Sequence, residues 1–156
     1  MPYWDDEHTS YNRDLLFGAD ALVLGRVTYE SFAQAWPPRP SDEFVDRING
    51  LPKYVASTTL TDDDATWNAS IIQGGVADAV KALKEEPGQS LLKHGTGGLD
   101  RTLLANGLLD ELHLWVFPVV AGGGQHLLEG LDLTHLHLAD STRFARGIVV
   151  NVYTPK

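Results

Sequence analysis

The stretch ADALVLGRVTYE, residues 19–30, decides the fold of this 156-residue chain. Its first half is a short apolar run that ends at Gly25, which is the pattern of a strand buried inside a sheet. Its second half opens a helix, because apolar residues recur from Tyr29 at i, i+3, i+4 and i+7 until Pro37 and Pro38 stop it. A strand that passes through one glycine into a helix predicts an α/β protein.

The same alternation of strands and helices extends in both directions along the chain. The patterns predict helices at residues 7–17, 41–50, 76–86 and 99–105, and strands at residues 53–56, 69–72 and 90–93. Residues 111–120 are apolar on both faces and predict a central strand, while residues 131–138 and 147–153 predict a closing antiparallel hairpin. We expect one domain over residues 1–156, a mixed β-sheet with flanking helices.

Composition excludes several classes of protein. The 12 Lys and Arg against 21 Asp and Glu give a net charge of −9, which disfavours nucleic acid and anionic lipid as partners. The absence of cysteine excludes disulfides, a thiol nucleophile and cysteine-ligated metals. No segment has the length and apolarity of a membrane span, and the first residues do not have the pattern of a signal peptide. We therefore expect a cytoplasmic protein without membrane contact.

Two glycine turns are the candidate ligand sites. Residues 25–28, Gly-Arg-Val-Thr, and residues 95–98, Gly-Thr-Gly-Gly, each follow a strand and open a helix, where free amides and the helix dipole attract phosphate. Two such turns in one small sheet favour a diphosphate ligand. Asp100 replaces the third glycine of the dinucleotide fingerprint, and no Walker lysine is present. The glycines at 122–124 are compatible either with a flexible loop or with a role lining the cofactor site.

Other candidate motifs are weaker. His135 and His137 share one face at strand spacing, but no carboxylate at ligand spacing accompanies them, so no metal site is expected. The acidic run at residues 62–64 lacks the alternating ligands and the glycine of a calcium loop and is interpreted as a solvated turn. No Gly-x-Ser-x-Gly elbow of an α/β-hydrolase is present.

Three motifs in order resemble one known family. They are residues 19–30 with Trp36-Pro37, residues 93–97 with the helix after them, and residues 108–112 leading into the segment 117–124. They resemble the dihydrofolate reductase-like proteins related to the C-terminal reductase domain of the bifunctional riboflavin-biosynthesis deaminase/reductase. The resemblance covers nearly the whole chain. It implies a dihydrofolate reductase-like, three-layer fold that binds NADPH at the C-terminal ends of its central strands.

The resemblance also implies which residues bind the cofactor. Phosphate contacts on one side are expected from Gly25, Arg26, Val27 and Thr28. The pyrophosphate cradle is expected from Gly95, Thr96, Gly97, Gly98 and Leu99. The segment that flanks the adenosine end corresponds to Ser57, Thr58, Thr59 and Leu60.

The chain departs from the family pattern at two places. Family members begin with a central strand that ends in a Ser-Leu-Asp-Gly-like turn, whereas residues 1–6 already resemble the segment after it. We expect a fold that lacks this usual first strand and has open sheet edges in its place. Three explanations are open: the start of the chain is shortened, another chain supplies the strand, or the fold closes differently. Thr58 stands where relatives often carry a basic residue for the 2′-phosphate, so NADH competes with NADPH as the expected cofactor.

The first helix is the candidate substrate wall. Trp4, His8 and Tyr11 fall near one helical face, with core packing as the alternative for Tyr11 and a surface role as the alternative for His8. His8 is a candidate proton donor, and no catalytic residue is assigned. The leading hypothesis is a homodimeric NADPH-dependent reductase that transfers hydride to a small heterocyclic, pterin- or pyrimidine-like, or carbonyl substrate. The alternative is a non-catalytic nucleotide- or pterin-binding protein of the same fold.

Overall fold

A parallel sheet forms the first half of the computed structural model, which describes residues 2–156. Its four strands are β1 (Ala19–Gly25), β2 (Lys53–Ala56), β3 (Ala69–Ile72) and β4 (Ser90–Leu92), and their order is β3-β2-β1-β4. All neighbours in this sheet run parallel. Strand β1 is buried almost throughout, as its continuous apolar run predicts for a strand covered on both faces.

Five helices cover the two faces of this sheet. They are α1 (Asp6–Phe17), α2 (Arg26–Ala35), α3 (Glu43–Gly50), α4 (Val76–Glu85) and α5 (Gly98–Ala105). Leu22 and Leu24 pack with residues of α1, α2 and α3, whereas Val23 between them packs with α4 and α5. Alternate side chains of one strand therefore serve two apolar cores, and the predicted three-layer arrangement is confirmed.

Side-chain caps fix where two of the helices begin. The Asp5 carboxylate accepts the His8 amide at 3.0 Å and starts α1. In the same way the Asp42 carboxylate accepts the Val45 amide at 2.8 Å and starts α3. Each cap satisfies an amide that the first helical turn leaves without a carbonyl partner.

A separate antiparallel sheet forms the C-terminal part. Its strands are β5 (Leu112–Val116), β6 (Leu136–Arg143) and β7 (Val149–Pro155), in the order β5-β7-β6. Phe144, Ile148 and Val150 form its buried core, against which Tyr11 and Trp115 pack. Because Tyr11 lies on α1, this helix connects the two sheets. The predicted C-terminal antiparallel hairpin is confirmed as β6 and β7.

Two predicted strand positions are wrong. The strand predicted at residues 111–120 ends at Val116 because Pro118 follows, and it lies at the edge of its sheet rather than in the middle. The first hairpin strand lies at residues 136–143 rather than 131–138. Strand β6 is an edge strand that is exposed almost throughout, so no apolar alternation marked its true position.

Strands β4 and β5 do not pair with each other, and each ends its sheet. The expected open edges are therefore present, at the place where the two sheets face each other across a cleft. The cleft has a volume of about 1090 Å³ and is lined by residues of both strands.

Candidate functional site

The carboxyl ends of three adjacent parallel strands carry all the segments predicted to bind the cofactor. Gly25 ends β1, Ser57 follows β2, and the segment 93–98 follows β4. Strand β2, which is the next strand in the chain, pairs with one side of β1, and β4 pairs with the other side of β1. The crevice between β1 and β4 is therefore a topological switch point, where open α/β sheets bind ligands.

The first glycine turn leads from β1 into α2. Gly25 caps α2 without a side-chain hydrogen bond, so the opening amides of the helix lack an intrahelical partner. A Cβ added at Gly25 would meet nothing within 4 Å, which leaves this backbone open to an approaching ligand. The Arg26 guanidinium lies 2.9 Å from the Glu30 carboxylate, one turn further along α2, and is partly exposed. The turn therefore offers free amides and one accessible cation.

The second glycine turn contacts the first. Gly95 has a φ of +75°, and a Cβ added there would lie 2.8 Å from the Thr28 hydroxyl oxygen. Only glycine combines this conformation with this close approach. Gly97 differs, because its φ of 169° is extended and a Cβ there would meet nothing within 4 Å. Gly98 and Leu99 open α5, so their amides have no intrahelical acceptor.

A buried ion pair braces the second turn. The Asp100 carboxylate, which is 2% exposed, accepts the Gly97 amide at 2.6 Å and lies 2.9 Å from the Lys93 ammonium. Lys93 also donates to the Gly95 carbonyl oxygen at 2.5 Å. The sequence analysis noted Asp100 only as a departure from the dinucleotide fingerprint. Its spacing of three residues from the helix cap was the signal that identifies a bracing carboxylate.

The third segment, residues 57–60, offers side chains rather than amides. The Ser57 hydroxyl oxygen accepts the amides of Thr59 at 3.1 Å and Leu60 at 2.9 Å. Thr58 is exposed beside them. The segment is therefore a hydroxyl-rich wall without a positive charge of its own, at the same sheet edge as the glycine turns.

His94 lies between the glycine turn and the core. Burial, together with the charge of Lys93, lowers the pKa of His94 to about 4. The ring contacts Phe32 at a centroid distance of 5.5 Å. His94 is therefore neutral near pH 7 and adds no charge to the cleft it lines.

The candidate substrate residues gather around Trp115 on β5. The Trp4 ring stacks on His8 at 4.6 Å, and His8 meets the Trp115 ring edge to face at 5.1 Å. Tyr11 also meets Trp115 edge to face, at 5.2 Å. Burial lowers the pKa of His8, against the opposing charge of Asp5. The structure thus brings the three predicted residues together, with Tyr11 also packed in the second core.

Three residues of this cluster were missed by the sequence analysis, namely Glu111, His113 and Trp115. All three line the cleft, which His94 and Gly95 also line. The alternation within β5, which places His113 and Trp115 on one face, was the available signal. The cleft therefore extends from the glycine turn to Trp115, whereas Trp4, His8 and Tyr11 lie behind Trp115 and do not line it.

Within residues 2–156 no group of three or more His, Asp or Glu side chains is arranged to hold a metal ion. Over the same part of the chain, every helix is too short or too polar to cross a bilayer.

The backbone at the switch point fits a dinucleotide. The glycine positions 25 and 97 face open space, so a phosphate can approach the amides that begin α2 and α5. The contact between Gly95 and Thr28 holds the two turns next to each other, as the two phosphates of one ligand require. A parallel sheet covered by helices, with an open crevice at the carboxyl ends of its strands, is typical of α/β proteins that bind ligands in this crevice.

Comparison with known proteins identifies the family. The chain matches the RibD C-terminal domain over residues 4–150 and belongs to that family. This match confirms the resemblance seen in the sequence motifs. The RibD C-terminal domain family is a family of reductases, so membership supports a reductase-type function.

Individual relatives are similar over most of the chain. The uncharacterized protein YyaP of Bacillus subtilis (strain 168) is 29% identical over 145 residues, which span 90% of this chain and 76% of YyaP. A Shewanella sp. PV-4 protein named for riboflavin biosynthesis has a TM-score of 0.74 at 22% identity, covering 98% of this chain and 81% of its own. A pyrimidine reductase-like protein from Corynebacterium diphtheriae has a TM-score of 0.70 at 15% identity, covering 99% and 83%. These two structures share the fold of this chain.

Proposed function

We propose that this protein is an NADPH-dependent reductase that transfers hydride to a small heterocyclic or carbonyl substrate. The observation that carries the proposal is the contact between two glycine turns at the switch point, next to a cleft that leads to an aromatic cluster. A bound NADPH would supply the hydride, while the protein supplies binding, orientation and protons.

Each segment has a distinct part in the proposed cofactor site. The amides of Gly98 and Leu99 are positioned to bind the pyrophosphate, and those of Val27 and Thr28 approach it from the other turn. Thr96 lies between them on the cleft wall. Asp100 already takes the Gly97 amide, so Gly97 provides space rather than a donor. Arg26 is paired with Glu30 and would favour an anionic ligand by exchanging this carboxylate for a phosphate.

The hydroxyl-rich segment 57–60 is proposed to flank the adenosine end. Thr58 is a weak partner for a 2′-phosphate, since it carries no charge. NADPH is therefore expected to exceed NADH in affinity only modestly, and the comparison of the two cofactors is part of the test.

The aromatic cluster favours a flat heterocycle as substrate. Trp115 lines the cleft beside the stacked rings of Trp4 and His8, and an aromatic wall of this kind suits a flat pterin- or pyrimidine-like ring. A cleft of about 1090 Å³ is large enough for the nicotinamide and a small second molecule. The name of the Corynebacterium diphtheriae relative, a pyrimidine reductase-like protein, agrees with this class.

The test is a thermal-shift titration with NADPH and, separately, NADH. At 100 times its dissociation constant a ligand adds about 2.7 kcal/mol, which raises the melting temperature by about 5–10 °C for a domain of this size. Gly97→Ala should fold normally and lose the shift, because its Cβ enters the open space proposed for the pyrophosphate.

The matched control is Gly50→Ala, whose Cβ also meets nothing within 4 Å but lies at the end of α3. It should retain the full shift. No shift with either dinucleotide would contradict the proposal. A shift without hydride transfer to any pterin, pyrimidine or carbonyl compound would favour a non-catalytic binding protein.

A homodimer in the cytoplasm is proposed as the form in which the protein acts. Val120 and Leu133 are 99% and 88% exposed, and the outer edge of β6 is exposed along its length. Exposed apolar side chains and an unpaired edge strand each favour association with a second copy. Size-exclusion chromatography with light scattering tests this part directly.

A further inference from the structure

An arginine in α5 lies beside the second glycine turn. Arg101 is the fourth residue of this helix, and the side chains of an α-helix lean toward its N-terminus. Accordingly, one guanidinium nitrogen, Nη2, lies 3.5 Å from the position that a Cβ would take at Gly98. This nitrogen is within about 6 Å of the Gly98 amide nitrogen, because N and Cβ of one residue are about 2.5 Å apart. The Arg101 charge therefore lies at the turn where the pyrophosphate is proposed to bind.

The other side of the guanidinium packs against the loop between β5 and β6. Arg101 Nη1 donates to the Glu129 carbonyl oxygen at 2.8 Å. A Cβ added at Gly130 would lie 3.1 Å from the same nitrogen, so a residue without a side chain lets the guanidinium approach this backbone. Because the guanidinium is a planar fork, the bond from Nη1 also fixes the direction of Nη2. Arg101 is therefore oriented before any ligand binds.

Arg101 differs from the other cations near the two glycine turns in having no carboxylate partner. Arg26 donates to both carboxylate oxygens of Glu30, and Lys93 lies 2.9 Å from the Asp100 carboxylate. In the part of the chain that the structure describes, no ion pair within 4 Å includes Arg101, which is exposed. A phosphate that binds its remaining N–H groups therefore displaces no protein carboxylate.

The strand order indicates which phosphate of a dinucleotide Arg101 can reach. Helix α5 follows β4, whereas the segment 57–60, proposed to flank the adenosine end, follows β2. Strand β1 separates these two strands, so their carboxyl ends are about 10 Å apart. Arg101 therefore lies on the pyrophosphate side of the site, away from the ribose that carries the 2′-phosphate in NADPH.

We propose that Arg101 is a further cofactor-binding residue, which binds the pyrophosphate together with the opening amides of α5. This inference rests on the proposed function and adds to it a residue that provides a full positive charge. The amides donate from the helix terminus, and the guanidinium donates from beside it. The net charge of −9 disfavours an anionic ligand, so a cation at the phosphates offsets this repulsion. Because NADPH and NADH carry the same pyrophosphate, Arg101 contributes equally to both affinities.

The experiment compares Arg101→Gln with the matched control Arg146→Gln. Arg146 is also exposed, and its Nη1 likewise donates to one carbonyl oxygen, that of Pro2 at 2.9 Å. It lies between β6 and β7, in the antiparallel part of the protein. Each variant thus loses one charge and one hydrogen bond to the main chain. Both should melt close to the wild type, because substitutions of exposed side chains cost little stability.

Calorimetric titration measures the dissociation constants of NADPH, NADH and inorganic pyrophosphate. Arg101→Gln should raise the constants of both dinucleotides by about 10–100-fold, as expected for the loss of a hydrogen bond between charged groups. Arg146→Gln should bind all three ligands like the wild type. Unchanged affinities in Arg101→Gln overturn the proposal, and a loss confined to NADPH also does, because it assigns Arg101 to the 2′-phosphate. An equal loss in Arg146→Gln overturns it as well, since net charge then explains the effect.

The wild type separates this inference from the proposed function. If the wild type binds neither dinucleotide, the proposed function is refuted, and inorganic pyrophosphate alone then decides on Arg101. Pyrophosphate binding that weakens in Arg101→Gln and not in Arg146→Gln supports a diphosphate site at this turn. If the wild type does not bind pyrophosphate either, the inference is overturned together with the proposed function.

Discussion

The buried pair of Lys93 and Asp100 gives a sharp prediction for stability. Asp100→Ala leaves the Lys93 ammonium, 12% exposed, without its carboxylate and the Gly97 amide without its acceptor. Removal of one partner of a buried pair costs about 3–5 kcal/mol. For a domain of this size that corresponds to a fall in melting temperature of about 6–20 °C. Urea unfolding followed by circular dichroism measures the free energy directly.

The double variant Lys93→Met/Asp100→Leu separates the pair from its surroundings. It removes both charges and keeps apolar volume, so it should recover most of the stability lost in Asp100→Ala. Asp110→Ala is the matched control, since Asp110 pairs with Lys84 at the surface, and it should cost less than about 1 kcal/mol. The reasoning is refuted if Asp100→Ala costs no more than this control.

Three further predictions concern the buried bases and the glycine turn. Burial lowers the pKa of Lys53 from 10.5 to about 8, so the unfolded chain binds more protons than the folded chain between these pH values. The free energy of unfolding should therefore rise by about 3 kcal/mol from pH 8 to pH 10.5. Urea titrations measure this rise, which Lys53→Met should abolish. Burial lowers the pKa of His94 in the folded protein from 6.5 to about 4, so the unfolded chain binds more protons between these pH values. The free energy of unfolding should therefore fall by about 3 kcal/mol as the pH drops from 6.5 to 4, and His94→Phe should remove this fall. Gly95→Ala should lower the melting temperature, because of its φ of +75° and the close Thr28 hydroxyl, whereas Gly97→Ala should not; equal melting temperatures would contradict the geometry.

The parallel half of the fold could be predicted because its strands and helices are buried with a regular period. Strand β1 runs through the centre of its sheet, and the apolar face of α2 repeats every three or four residues. The antiparallel half could not be placed as well. Strand β6 is exposed along one edge, so its residues carry no pattern that distinguishes strand from loop.

The candidate site also has one part that could be predicted from the sequence and one part that could not. The glycine turns are local features, in which a strand end, a glycine and a helix start follow one another in the sequence. The hydrogen bond between Tyr11 and His113 is a long-range feature, because the two residues are separated by 102 positions and meet only after α1 packs on β5. The bracing of Gly97 by Asp100 depends on a lysine seven residues earlier in the chain, and no pattern links the two before the turn is formed.

Helix α1 packs against both sheets but does not join them by backbone hydrogen bonds. It contributes Leu16 to the core of the parallel sheet and Tyr11 to the core of the antiparallel sheet, while β4 and β5 share no ladder. Because no ladder joins them, we expect the two sheets to behave as separate cooperative units that open independently in native-state hydrogen exchange. A change at the α1 surface that loosens Tyr11 would be felt as faster amide exchange in β7, with β1 still protected.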